Sequence, residues 1–233
     1  MRVGVIQSSF IPWRGYFDFI ASVDLFIFHD DLQYTKGDWR NRNRIKTPQG
    51  TKWLTVPVSY HKTSQLICET SIDNSTNWRR SHLNQWRANY DKTKYFEDAL
   101  HLLEAIGEPD DLTISQLNIR LIHAICAYLG IHTPMMLSSE LNLQGTKTER
   151  LIHMMNAVGG KIYLSGPSAD AYLDKDLFKR NGIRLEYKSY EYDAYPQLWG
   201  AFDGAVTVLD LIANTGSDAQ KLLKSRLPNV IVE

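Results

Sequence analysis

Val3-Gly4-Val5-Ile6-Gln7-Ser8-Ser9-Phe10-Ile11-Pro12-Trp13-Arg14-Gly15-Tyr16-Phe17 opens the chain with an apolar run, a loop punctuated by proline and glycine, and the start of a helical pattern. Val3 to Ile6 predicts a buried strand. Phe17, Phe19, Ile20, Ala21 and Val23 follow at helical spacing, so a helix is predicted from about Tyr16. Leu25-Phe26-Ile27-Phe28 then predicts a second strand, which ends in His29-Asp30-Asp31. A strand, a helix and a strand in this order make two neighbouring parallel strands. Polar groups gather beyond both carboxyl ends, which is where open α/β sheets bind ligands.

The alternation continues outward from this unit. Pro48 and Gly50 mark a turn into a third strand, Trp53-Leu54-Thr55-Val56-Pro57-Val58, and Ser64 to Ile72 reads as a further short strand. Trp78 to Tyr90 and Thr93 to Gly107 have helical periodicity, the second ending at Gly107 and Pro109. Ile114 to Leu129 is the strongest helix, closed by Gly130. Met135-Met136-Leu137 predicts a strand, Lys147 to Val158 a helix, and Lys161 to Leu164 a strand that runs into Ser165-Gly166-Pro167-Ser168. Ala169 to Asn181 is helical by pattern and Ile183 to Tyr187 extended. This order implies a mostly parallel sheet flanked by helices. A single α/β domain over residues 1–233 is expected, with a helix-rich insertion or cap at about 74–112.

Composition limits the function classes. Of 233 residues, 43% are hydrophobic and 22% charged, the balance of an ordinary globular protein with a sizeable core. Lys plus Arg total 26 and so do Asp plus Glu, and this neutrality argues against a general nucleic-acid binder, which would neutralise many phosphates. Cys68 and Cys126 are far apart and without metal-ligand spacing, which suggests neither a disulfide framework nor a zinc site. No segment approaches the ~20 apolar residues of a transmembrane helix. A cytoplasmic location is expected, and a homo-oligomer is compatible with the sequence.

Several clusters have chemistry to offer. In the first loop, Gln7 supplies a polar side chain and Gly15 permits close backbone approach before the helix, a place where a phosphate can sit; a packed connection is the alternative. Asp30 and Asp31 are the candidate catalytic carboxylates, able to divide acid and base roles or to contribute to a metal site, although one of them can equally cap a turn. If residues 39–44 are extended, Arg40, Arg42 and Arg44 share one face and Trp39, Asn41 and Asn43 the other. Three guanidinium forks on one face suit a phosphorylated substrate, and a charged edge strand that deters aggregation is the competing reading. Ser138, Lys147 and Arg150 lie around the Gly145 turn, and cations at a helix start make sense beside an anion. Ser165 and Gly166 form another rim rich in oxygen and N–H groups. Tyr187, Tyr190, Tyr192, Tyr195, Gln197 and Trp199 either stack on a sugar or base, or close the core. The scattered histidines form no triad, and Cys126 reads as core.

Gln7, Phe10, Pro12, Gly15-Tyr16-Phe17, Asp30-Asp31, Gln33, Trp39, Asn41-Arg42-Asn43 and Ile45 together resemble the WbqC-like family. The resemblance runs through Leu54 to Val58, Thr148-Glu149-Arg150-Leu151, Tyr163 to Gly166 and Tyr195-Pro196-Gln197 to Asp210, Asn214 and Gly216. Ser8 stands where members of that family carry proline. A weaker likeness, of Phe10 to Tyr16 to the first loop of nucleotidylyltransferases, implies a nucleotidylyltransferase-like or Rossmann-like sheet, but Trp13 and Tyr16 replace the histidines of their HxGH-type signature. The family resemblance implies bacterial surface-polysaccharide, O-antigen-type synthesis, and acyl or aminoacyl transfer to a nucleotide-linked amino sugar. ATP or an acyl carrier such as coenzyme A is the candidate source of the activated group. In that reading Asp30 or Asp31 is the base, and Lys147 and Arg150 stabilise the leaving group. The alternatives are a nucleotidylyl- or glycosyltransferase, with a divalent metal at Asp30 and Asp31, and a non-catalytic subunit of a glycan-assembly complex.

Overall fold

A computed structural model describes residues 1–107 and 112–232. Val3 and Val5 point to one side of the first strand, β1 (Arg2–Ile6), and Gly4 to the other, so the apolar run is buried on both faces. Gly4 is required there: a Cβ at this position would lie 2.3 Å from the Phe19 ring of helix α1 (Arg14–Ala21). β2 (Leu25–Phe28) pairs with β1 in parallel, and sends Phe26 and Phe28 to the α1 side and Ile27 to the opposite side.

The hairpin β3 (Arg42–Thr47) and β4 (Gly50–Thr55) stands apart from the main sheet as an antiparallel pair, Thr47 opposite Gly50. Helices α2 (Trp78–Tyr90), α3 (Phe96–Glu104) and α4 (Ile114–Tyr128) follow. Beyond them come β5 (Met135–Leu137), α5 (Lys147–Ala157), β6 (Ile162–Ser165), α6 (Lys175–Arg180), β7 (Arg184–Tyr187), α7 (Val208–Thr215), α8 (Ala219–Leu223) and β8 (Val230–Val232). The main sheet has the order β5-β2-β1-β6-β7-β8, parallel except for β8. It is the α/β class expected, a mostly parallel six-stranded sheet flanked by helices. The core lies in two clusters. One gathers α1, α2, α3, α4 and α7 against the sheet, and the other gathers α5 and α6 on the opposite side. Helices α2 and α3, within the predicted insertion, bury Trp86, Tyr90, Leu100 and Leu103 in the first cluster. Pro109 and the end of that predicted segment lie outside the described residues.

Four expectations change. Ser64 to Ile72 is not a strand but a loop around a 3-10 turn at Ile67–Glu69, joined to its neighbours by isolated bridges and single backbone hydrogen bonds, such as the Ile67 N–H to the Leu32 carbonyl at 2.9 Å. Polar side chains compete with a ladder there: the Gln65 amide donates to the Ser59 carbonyl at 2.8 Å and to Thr70 Oγ1 at 3.0 Å, and Thr70 Oγ1 donates back to the Leu66 carbonyl. The predicted third strand begins at Gly50 and stops at Thr55, before Pro57, and its partner β3 was masked by its alternating charges. The segment Ala169 to Asn181 divides into a 3-10 turn at Pro167–Ala171 and α6, whose start is set by Asp174 accepting from the Leu177 N–H at 2.9 Å. Helices α7 and α8 and strand β8 were not anticipated.

His82 on α2 is buried between Phe10 and Trp78, edge-on to both rings, and among the described residues neither ring nitrogen has a well-formed hydrogen bond. Burial holds its pKa down at about 4, against a slight lift from the Trp78 backbone. His29 is depressed to about 4 as well, again by burial. A histidine with a lowered folded-state pKa stabilises the fold fully above its unfolded value of about 6.5, and that stability is lost as pH falls toward the folded value. Each residue is therefore expected to cost about 2 kcal/mol between pH 7 and pH 5. Urea unfolding at the two pH values checks this: His82→Leu should remove about half of the acid loss, and an unchanged loss would refute the assignment.

Candidate functional site

β1 is the switch point of the sheet. Its neighbour on one side is β2, reached through α1, and on the other β6, reached from α5 across the opposite face. Ligands of open α/β sheets bind in the crevice such a reversal leaves beyond the carboxyl ends. Here the crevice is shaped by the loop Gln7 to Trp13. The Phe10 N–H donates to the Trp39 carbonyl at 3.0 Å, and the Tyr16 hydroxyl donates to the Gln7 carbonyl at 3.0 Å. Asn43 Nδ2 donates to the carbonyls of Phe10 and Ile11, at 3.1 and 2.9 Å. Ile11 has φ +34°, a left-handed conformation that a β-branched residue adopts only when its surroundings enforce it. Gly15 leaves room for the Trp13 indole to fold back on α1, since a Cβ would meet that ring at 2.3 Å.

The crevice contains a cavity of about 370 Å³ at the end of β1. Trp13, Tyr16, Trp39 and Tyr190 supply aromatic wall, and Ser9, Arg40 and Asn43 supply polar groups. Arg40 is the charge in this wall. It is 8% exposed, its guanidinium donates to the Gln7 side-chain oxygen, and among the described residues its Nε has no hydrogen-bond partner. Among the described residues the carboxylate paired with it, on Asp38, is 4.0 Å away. Burial lowers the Arg40 pKa, with Asp38 acting in the opposite sense. A buried, under-compensated cation beside open aromatic surface is an anion-binding arrangement.

The three arginines do not share one face. Arg40 lies in the turn before β3 and turns toward Gln7, whereas Arg42 and Arg44 alternate along β3. Arg42 stacks on the Trp53 indole at 4.3 Å, and Arg44 lies 5.8 and 5.7 Å from the Trp39 and Trp53 ring centres. Trp39 is on the arginine side, 5.2 Å from Trp53, not with the asparagines. Asn41 and Asn43 are buried and braced to backbone, Asn41 Nδ2 donating to the Val56 carbonyl at 2.8 Å.

One strand over, Asp30 and Asp31 follow β2. Asp30 is 3% exposed and accepts from the Ser138 hydroxyl at 3.1 Å, the Ser139 N–H at 3.1 Å and the Ser139 hydroxyl at 2.8 Å. Asp31 keeps 17% side-chain exposure, pairs with Arg150 and accepts from Ser138 at 2.5 Å. Of the pair, only Asp31 therefore reaches solvent appreciably. The His29 N–H donates to the Ile6 carbonyl at 3.0 Å, which joins this cluster to the cavity wall. Among the described residues no group of three or more His, Cys, Asp or Glu is placed to hold a metal ion.

The other predicted residues are distributed along and beyond this edge. Ser165 ends β6 beside β1 and is buried, with Gly166 following it. Gln33 is exposed and bridges to Leu66, and Lys147 is exposed at the start of α5. Gln197 lies in a different, buried network. Its Nε2 donates to Asp210 at 2.7 Å and its Oε1 accepts from Lys46 at 3.0 Å, while Tyr90 and Tyr195 hydroxyls donate to Asp210 at 2.7 and 2.8 Å. Burial raises the Asp210 pKa against the pull of these donors.

Residues 188–207, between β7 and α7, have no helix or strand, and this length of irregular chain over a crevice is commonly functional. Two latches hold it. Arg14 packs under Tyr192, Tyr195 and Phe202 and donates to the Asp193 carbonyl at 2.9 Å. Lys188 pairs with Asp18 at 2.6 Å, both side chains nearly inaccessible, and Asp18 also accepts from the Tyr192 hydroxyl and the Ser225 N–H. Sequence reasoning named Tyr190 only as one of several aromatics that either stack on a ligand or close the core, and gave no binding role to Trp13 or Trp53. Trp13 and Trp53 gave no separate signal, because an isolated tryptophan beside an apolar run reads as core.

The fold and crevice define an α/β protein with an open crevice at the switch point of a mostly parallel sheet. Residues 7–222 match the WbqC-like protein family, and the chain belongs to that family. It is 46% identical over 229 residues to a Mycobacterium tuberculosis protein named Uncharacterized protein Rv1507c, covering 96% of this chain and 97% of that one. No solved structure matches the chain. Among the described residues no helix is long and apolar enough to cross a membrane.

Proposed function

We propose that this protein is a transferase of bacterial surface-polysaccharide synthesis, placing an acyl or aminoacyl group on the amine of a nucleotide-linked amino sugar. The observation that carries the reading is Arg40, a buried cation with an unpartnered Nε in an aromatic-walled cavity at the sheet's switch point. An aromatic wall suits the apolar face of a sugar or a base, and a guanidinium suits phosphate. The amine attacks the carbonyl of an acyl group activated by ATP or by a carrier such as coenzyme A. The carbon–nitrogen bond forms, the bond to the phosphate or thiol leaving group breaks, and the amine loses a proton to the protein. Asp31 is the base in this scheme, as the more exposed carboxylate, while Asp30 holds the turn at Ser138 and Ser139.

Substitution of Asp31 by asparagine tests the assignment. With UDP-linked amino sugars and acyl-coenzyme A or ATP plus an amino acid, the wild type is expected to form amide, and the variant to lose roughly 10²- to 10⁴-fold in rate with substrate affinity retained. Equal rates in both proteins would remove Asp31 from the mechanism. A protein that binds the sugar nucleotide and transfers nothing with any donor would favour the non-catalytic glycan-assembly role.

A further inference from the structure

Next to the cavity, the β3–β4 hairpin presents an aromatic surface that the chemistry above leaves unused. Trp39 and Trp53 are 41% and 39% exposed, although each touches the other, with ring centres 5.2 Å apart and planes at 46°. Tryptophan is among the costliest side chains to leave in water, and two together mark a surface that binds something. Arg42 and Arg44 lie against these indoles, and among the described residues their buried Nε atoms have no hydrogen-bond partners. Among the described residues neither arginine makes an ion pair within 4.0 Å. Trp39 also forms part of the cavity wall, so the platform and the cavity are continuous, with Arg40 between them.

We infer that Trp39 and Trp53 form a base-stacking subsite, so that a nucleoside diphosphate group lies with its base on the indole pair and its phosphates toward Arg40, Arg42 and Arg44. This rests on the proposed use of a nucleotide-linked substrate and adds its orientation: the base outside on the hairpin, the sugar inside at the end of β1. An indole accepts any base, because every base has a π face, so the platform selects nucleotides over simple sugar phosphates without reading the base by hydrogen bonds. Guanidinium groups against the indoles add positive potential at the point where the phosphates leave the base.

Isothermal titration calorimetry with UDP, GDP and inorganic pyrophosphate tests the subsite. The wild type is expected to bind both nucleotides more tightly than pyrophosphate. Trp53→Ala should lose roughly tenfold or more of UDP and GDP affinity and leave pyrophosphate binding unchanged, while Trp53→Phe keeps most of the preference. Trp39→Ala should behave like Trp53→Ala. If the wild type binds pyrophosphate as tightly as UDP, or if Trp53→Ala keeps the full preference or weakens all three ligands alike, the stacking subsite is overturned while the phosphate site stands. If the wild type binds none of the three, the nucleotide-linked reading fails and the subsite falls with it.

Discussion

Asp18→Ala is expected to destabilise the fold by about 3–5 kcal/mol, because it strips a buried cation of its partner. Lys188 Nζ lies 2.6 Å from Asp18, and with the carboxylate gone it keeps, among the described residues, the Ser189 carbonyl at 2.9 Å and the Tyr190 ring at 5.6 Å. The Tyr192 hydroxyl and the Ser225 N–H lose their acceptor at the same time. Replacing both charges, as in D18L/K188M, should recover most of the loss, since a buried pair exchanged for hydrocarbon is close to neutral. Urea unfolding of the two variants decides the matter. A single variant within 1 kcal/mol of wild type would mean that water reaches Lys188 and that the pair is not a latch.

The second large effect falls on binding and has the opposite sign on stability. Arg40→Leu should weaken binding of UDP and pyrophosphate on the order of a hundredfold, the loss expected when a desolvated charge pair with a ligand is removed. Folding stability should stay level or rise, because the native side chain is buried with an unpartnered Nε and a carboxylate no nearer than the 4.0 Å contact to Asp38. Calorimetric titration and urea unfolding of the same sample give both numbers. A variant that loses stability but keeps its affinity would identify Arg40 as a structural brace for Gln7.

The β1-α1-β2 unit was legible because its apolar runs are continuous and its helix periodic; the pairing of Val3 with Leu25 was not, since a strand apolar on both faces stays buried after a one-residue slip. The residues gathered at the carboxyl edge were legible too: strand ends in a parallel sheet share one side. What sequence could not give was the use each polar group had already found. Asn43 and Asp30 look like ligands by type, yet the amide of one is committed to the carbonyls of Phe10 and Ile11 and the carboxylate of the other to Ser138 and Ser139. Arg40 was separable from Arg42 and Arg44 only by the turn that precedes β3, whose local signal was Gly37, at φ +73°, beside Asp38. Helices α7 and α8 and strand β8 are short and are held by long-range contacts such as Asp210 with Tyr90, which local pattern does not encode.

The left-handed backbone at Ile11 bears on how a ligand arrives. Asn43 ties that residue to the hairpin, so the crevice floor and the Trp39–Trp53 surface are joined into one hydrogen-bonded piece. Folding has already met the cost of shaping this piece, and an incoming molecule has little left to order in it. For the ligand proposed above, affinity is therefore expected to depend chiefly on complementarity to a finished shape, and a rigid ligand of the right form to gain more than a flexible one.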